Sequence, residues 1–326
     1  MIPNSVVFAN NKGGAGKTSM AANFAGLAAA GGMTVLIVEL DQQANIGDDL
    51  GYSWRHDVVQ DGGGLLAAIA DETSIVSTFE ARPRLDVIQG GPMTDILEKT
   101  LGTMEQQLGE EETLYRVHDA IARVIANSPK PYELVVIDTP PRPNSPLVRA
   151  ALTMGNYLVS PTQIDRASIR GLDGLAKTVS HIFQTTNSDL VVLGVALFRV
   201  SADTEPALLR ETKEFIREHL GVATPIFDAT IRELKSGQRA SRHHGELAHE
   251  LEKSAAAHAG EWFRHLRDGT KPTRRFSSAS SKFAADYENL SREIMERMID
   301  AQQRRQQRGN TIDLTETETA SEVVPS

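Results

Sequence analysis

Short apolar runs alternate along the chain with longer stretches in which apolar positions recur every three or four residues. Val6–Ala9, Thr34–Val38, Leu85–Ile88, Leu134–Ile137, Tyr157–Val159 and Val191–Leu197 read as buried strands. Several carry β-branched residues at successive positions, the pattern of parallel strands covered on both faces. Between them, Thr18–Ala30, Asp95–Gln107, Thr113–Ala126, Ser145–Met154, Ile169–Phe183 and Glu205–His219 read as helices. This alternation predicts an α/β fold, a doubly wound, mostly parallel sheet with helices on both faces. No internal repeat interrupts it.

The pattern changes after Trp262. Residues 263–281, including RDGTKPTRRFSSASS, are rich in Gly, Pro, Ser and Arg and read as a linker. Over 282–308 a helical period returns, with Phe283, Tyr287, Leu290, Ile294 and Met298 forming one apolar stripe among charges. The acidic, polar stretch 309–326 reads as a disordered tail. The predicted organisation is therefore a main domain over 1–262, a linker, an amphipathic C-terminal helix and a tail.

Composition narrows the chemistry. The 326 residues are 40% hydrophobic and 24% charged, ordinary for a globular protein, with a net charge of −9. The absence of cysteine excludes disulfides, thiolate metal sites, cysteine nucleophiles and cysteine-ligated clusters. His56, His118, His181 and His249 do not group at metal-ligand spacing, so no zinc site is expected. No apolar stretch approaches the ~20 residues of a membrane-spanning helix, and no signal segment opens the chain. A cytoplasmic protein is expected.

Three stretches carry candidate chemistry. NNKGGAGKTS follows the first predicted strand and opens the first predicted helix. Its glycines let backbone N–H groups turn toward phosphate oxygens, and the helix adds the positive end of its dipole. Lys17 is placed to neutralise β- and γ-phosphates and Thr18 to ligate Mg2+. The loop departs from G-x-x-x-x-G-K-[ST] because Asn11 takes the place of the first glycine, and a second lysine, Lys12, follows it. In VLIVELDQQANIGDDLG a buried strand ends in Glu39 and Asp41, with Gln43 and Asn45 behind, positions suited to orienting water or binding Mg2+. In YELVVIDTPPRPNS an apolar run ends in Asp138, like the strand-end Asp that holds Mg2+ through water in NTPases with such loops.

KGGAGKTS, Lys12–Ser19, matches the KGGxGKT signature of the ParA/MinD group of deviant Walker ATPases, and the chain from about residue 2 to about 260 resembles its ParA-type partition members. The resemblance implies a P-loop fold that binds ATP and Mg2+ on Lys12, Gly13, Gly14, Ala15, Gly16, Lys17, Thr18 and Ser19. It gives Lys12 the role of reaching phosphates bound in a partner subunit, so that two ATP molecules lie between two chains. ELDQQAN resembles the family's D-x-D-P-Q-G-N, which places Asp41 on the residue orienting the attacking water. Glu39 and Gln42 depart from that pattern. Asp138 matches the Mg2+-linked aspartate.

The resemblance further implies a homodimer on ATP binding, attachment to nonspecific DNA, a nucleoid-associated location and a ParB-type centromere-binding partner that stimulates hydrolysis. Arg232, Lys235, Arg239 and Arg242, in IRELKSGQRASRHH, are the candidate DNA contacts, with Arg274 and Arg275 as a further arm. No N-terminal helix-turn-helix precedes the first strand, so operator-specific repression is not expected. A MinD-like membrane- or pole-positioning ATPase is the alternative, and a nucleotide-dependent adaptor of low turnover is a third. The membrane alternative is disfavoured by the acidic C-terminus and by Asp286, Glu288, Glu293, Glu296 and Asp300 on the last predicted helix.

Overall fold

A computed structural model of the chain describes residues 1–55, 58, 61–71, 74–142, 144–201, 203–234, 241–254 and 280–320, with side chains over 281–307 in the last span. The strands are β1 (Ser5–Phe8), β2 (Val35–Glu39), β3 (Phe79–Arg82), β4 (Leu85–Ile88), β5 (Leu134–Asp138), β6 (Tyr157–Thr162), β7 (Val191–Val200) and β8 (Ile226–Arg232). They form one sheet in the order β3-β4-β2-β5-β1-β6-β7-β8. Every pairing is parallel except β3 with β4. The six apolar runs signal neither β3 nor β8, the two ends of the sheet. β3, FEAR, is half-exposed and needs no buried run, and β8, IFDATIR, is interrupted by the exposed Asp228.

Side chains of successive strand residues point to opposite faces, and the core divides accordingly. Val6, Phe8, Val35 and Ile37 join a cluster with the helix α1 (Lys17–Ala30). Val7, Leu36 and Val38 join the cluster beneath α3 (Gly63–Ala70), α4 (Met93–Leu108), α5 (Glu110–Asn127), α6 (Pro146–Met154) and α7 (Arg166–Thr185). A short helix, α2 (Asn45–Asp49), follows β2, and α8 (Pro206–Leu220) precedes β8.

The C-terminal helix runs over Ser280–Ala320, past residue 308, and lies on α1, β7 and β8. Its stripe Phe283, Tyr287, Leu290, Ile294 and Met298 is buried in the same core as β1 and α1. Two of its acidic residues, Asp286 and Glu293, have a local reason. β8 is the last strand of the sheet, and an edge presents unpaired N–H groups. Glu293 accepts from the amides of Asp228 (3.0 Å) and Ala229 (2.9 Å), and Asp286 accepts from the amide of Arg232 (3.1 Å). Arg297 donates to the carbonyls of Leu193 (2.6 Å) and Ile226 (2.8 Å) and lies 4.2 Å from the Phe227 ring centroid. The linker residues 263–279 lie outside the described residues.

Candidate functional site

The parallel register brings the three candidate stretches together. β2, β5 and β1 are neighbours, with Glu39 opposite Asp138 and Asp138 opposite Phe8. Their carboxyl ends therefore open at one place, where ligands of such sheets bind. A cleft of about 630 Å³ lies there. Gly13–Ser19 line it with Asp41, Gln43, Asn45 and Pro141.

The loop between β1 and α1 is held from several sides. The Asn10 side chain accepts from the Lys12 amide (2.9 Å) and donates to the Pro161 carbonyl (2.5 Å). Gln163 donates to the Gly14 carbonyl at 2.8 Å. Gly16 sits at φ +102°, and a Cβ there would come within 2.6 Å of Cγ of Phe198, so both conformation and packing require glycine.

The two lysines of the loop occupy different places. Lys17 is buried, and its ammonium contacts the Lys12 carbonyl at 3.5 Å. Burial pushes its pKa down, against the pull of Asp138 and Asp41. Lys12 sits at the rim with its side chain 37% exposed. Its ammonium donates to Asp165 (3.2 Å) and to the Ser168 hydroxyl (2.6 Å), at the start of α7.

Thr18 and Asp138 form a unit fit for Mg2+. The Thr18 hydroxyl donates to Oδ2 of Asp138 at 2.7 Å, while the buried Oδ1 has no partner. An unpartnered, buried carboxylate oxygen beside a loop hydroxyl is what a hydrated cation would complete. Burial pushes the Asp138 carboxyl up to about 7 despite Lys17 and the Thr18 hydrogen bond. Asp41 is buried at the cleft wall, and its Oδ1 accepts from the Gln43 amide at 3.0 Å, which fixes the turn after β2.

Of the candidate DNA contacts, Lys235 and Arg239 lie outside the described residues, as do Arg274 and Arg275. Arg232 is paired with Asp286 of the C-terminal helix at 2.6 Å. Arg242 is paired with Asp49 at 3.0 Å and lines the cleft. Sequence reasoning did not single out Asp49, Asp165, Phe198 or the cleft-lining role of Phe283 and Tyr287. Only Asp165 left a local signal, since an Asp three residues before a Ser at a helix start is an N-cap pattern. Its side chain accepts from the Ser168 amide at 2.9 Å.

A phosphate cradle at the end of β1, flanked by strand-end carboxylates on β2 and β5, defines a P-loop nucleotide-binding protein of the parallel-sheet class. Residues 4–192, more than half of the chain, match the family described as AAA domain. The chromosome partitioning protein ParA of Caulobacter vibrioides is 30% identical over 229 residues, covering 69% of this chain and 79% of the relative. The sporulation initiation inhibitor protein Soj of Bacillus subtilis is 30% identical over 215 residues, covering 65% and 80%. Among solved structures, Cyanothece apo McdA aligns with a TM-score of 0.65 at 15% identity over 89% of this chain and 99% of that one. Cobyrinic acid a,c-diamide synthase from Mycobacterium smegmatis, with ATP analogue and magnesium, aligns at 0.60 and 22% identity over 84% and 100%. These two show the shared fold. The chain belongs to the ParA family within the AAA-domain group and is a partition-type ATPase.

Proposed function

We propose that the chain is an ATP-dependent switch for plasmid or chromosome partition. Two copies close on two ATP molecules, the closed dimer holds nonspecific DNA, and hydrolysis stimulated by a ParB-type partner releases it. The observation that carries this reading is the division between the lysines. Lys17 is buried and lines the cleft, whereas the Lys12 side chain is partly exposed, is not among the residues lining the cleft, and is held by Asp165 and Ser168 at the start of α7. A lysine so placed serves a second phosphate chain better than its own.

Within one subunit, backbone amides of Gly13–Ser19 bind the phosphates and Lys17 offsets charge on the β- and γ-positions. Thr18 and Asp138 would hold Mg2+, which supplies further charge neutralisation when bound. Asp41 orients water for in-line attack, and Lys12 reaches the partner's nucleotide. Positioning and electrostatics then account for a slow hydrolysis that works as a timer. The cofactors of this reading are ATP and Mg2+, as the ATP- and magnesium-bound neighbours support. A location on the nucleoid follows from DNA attachment.

The membrane alternative loses support from the C-terminal helix, whose apolar stripe is buried in the core rather than offered to a lipid surface. No helix among the described residues is long and apolar enough to cross a membrane. Steady-state ATP turnover, with and without random-sequence duplex, tests the enzymatic half of the proposal. Slow turnover that Asp41→Ala abolishes while nucleotide binding persists is expected. Unchanged turnover in Asp41→Ala contradicts it.

A further inference from the structure

The cleft continues past the phosphate loop, where Ser19, Asn23, Asp49, Phe198, Arg199 and Arg242 replace the glycines as its lining. Arg242 stands out there because two observations bear on it. It belongs to residues 241–250, which are docked on three elements. The Ala248 amide donates to Asn23 of α1 (2.9 Å), and Arg82 of β3 donates to the carbonyls of Leu50 (2.9 Å) and Gly245 (2.8 Å) and to Glu250 (2.8 Å). Gly245 meets Gly51 backbone to backbone. The segment that follows Arg242 is thus anchored on α1, on β3 and on the turn at Gly51.

The second observation is its carboxylate partner. Nε of Arg242 donates to Oδ1 of Asp49 at 3.0 Å, and Oδ2 of Asp49 accepts from the Ser19 hydroxyl at 3.1 Å. Asp49 is buried, with its side chain 4% exposed, while the Arg242 side chain is 49% exposed on the cleft side. A guanidinium has a planar fork of five donors. Engaging it through Nε orients the plane and leaves the terminal nitrogens for another acceptor. Ser19 lies in the first turn of α1, two residues past Lys17. With Lys17 read as serving the β- and γ-phosphates, a cation held beside Ser19 falls to the nucleoside side of the polyphosphate.

We propose that Arg242 is a nucleotide-binding residue, aimed by Asp49 at the α-phosphate end of a bound nucleoside di- or triphosphate rather than at DNA. The inference rests on the reading of the cleft as a nucleotide site. It also gives the segment following β8 a direct contact with the nucleotide. Because the α-phosphate is common to ADP and ATP, loss of Arg242 weakens both by the same factor. A charge-assisted hydrogen bond of this kind corresponds to about 10- to 100-fold in affinity.

The test is direct titration of the full chain with fluorescent ADP and ATP analogues in Mg2+, for wild type, Arg242→Ala and Arg242→Lys. Removing Arg242 alone leaves Asp49 as an unpaired buried charge and can unfold the chain. The double variant Asp49→Asn/Arg242→Met removes both charges and keeps the test open. Thermal melting checks that each variant is folded. The expected result is an equal loss for ADP and ATP, about 10- to 100-fold in Arg242→Ala and in the double variant, with partial recovery in Arg242→Lys. Wild-type affinity for both nucleotides in a folded variant overturns the proposal, as does a loss confined to ATP. Failure of wild type itself to bind nucleotide, with Lys17→Ala as the reference for no binding, would instead overturn the reading of the cleft.

Discussion

Replacing Glu39 tests how the segment bearing Asp41 is held. Glu39 ends β2 with no exposed surface, and its two oxygens serve two different backbones. Oε1 accepts from the Ile46 amide at 2.8 Å, within α2, and Oε2 from the Gly90 amide at 3.2 Å, after β4. Asp41 lies in the segment between Glu39 and Ile46. Alanine leaves both amides buried without acceptors, at about 1–3 kcal/mol each. The expected loss is therefore about 2–6 kcal/mol, a large part of the roughly 5–15 kcal/mol that holds a typical domain. Glutamine keeps one acceptor and turns an NH2 group toward the other amide, so about half of that loss is expected.

The pH dependence follows from burial, which raises the Glu39 carboxyl well above its ordinary 4.5, with nearby Asp138 and Asp41 adding to the rise and the two amides opposing it. A group whose pKa is higher in the folded state contributes stability that is fully present below the unfolded value. That contribution is lost as pH rises from about 4.5 toward the folded value. Glutamine has no such titration, so Glu39→Gln gains on wild type between pH 5 and pH 8. Urea unfolding at both pH values, without nucleotide, measures this. An alanine variant within about 0.5 kcal/mol of wild type, or a wild type-to-glutamine gap independent of pH, refutes the reasoning.

Other perturbations address the remaining contacts. Gly245→Ala forces a side chain at φ +61° and places Cβ within 2.0 Å of Cα of Gly51. Backbone strain of about 1–2 kcal/mol and overpacking of about 1–3 kcal/mol together lower stability by about 2–5 kcal/mol, read from the urea midpoint. Glu293→Ala removes the acceptor for two amides of edge strand β8. A loss of about 1–2 kcal/mol and earlier aggregation on heating, followed by light scattering, are expected. Burial opposes the Asp165 charge, yet hydrogen bonds from Ser168 and Lys12 hold its carboxyl down to about 2. The stabilisation from that depressed pKa is present above about 3.8 and lost as pH falls through about 2. Asp165→Asn removes the ion pair on Lys12 and leaves it the Ser168 hydroxyl, and the concentration for ATP-dependent dimerisation should fall severalfold, as the roughly 1 kcal/mol of a half-exposed pair allows. An unchanged or higher dimerisation midpoint in light scattering contradicts this use of the pair.

The sheet was legible because strands covered on both faces must be apolar at successive positions, as Val35–Val38 and Leu134–Ile137 are. β3 and β8 were not, since edge strands with partly exposed residues carry no such continuous run. The phosphate loop could be read because its glycines and lysines are contiguous. The rest of the site is assembled from distant parts of the chain, Asp49 with Arg242 in the cleft and Asp165 with Lys12 beside it, and spacing in sequence carries no trace of those pairings. The C-terminal stripe was visible as an amphipathic period, but the period does not say what covers it. The structure answers with α1 and β8, and it gives Asp286 and Glu293 to the strand edge rather than to solvent.

The central claim is that ATP, acting through Lys12, creates the DNA-holding form. The most direct measurement is binding of the full chain to random-sequence duplex by gel shift, with ATP, with ADP and without nucleotide, for wild type, Asp41→Ala and Lys12→Ala. The account predicts binding with ATP only, retained in Asp41→Ala, lost in Lys12→Ala and falling steeply as salt rises. Binding that ignores the nucleotide, or that survives in Lys12→Ala, would contradict it.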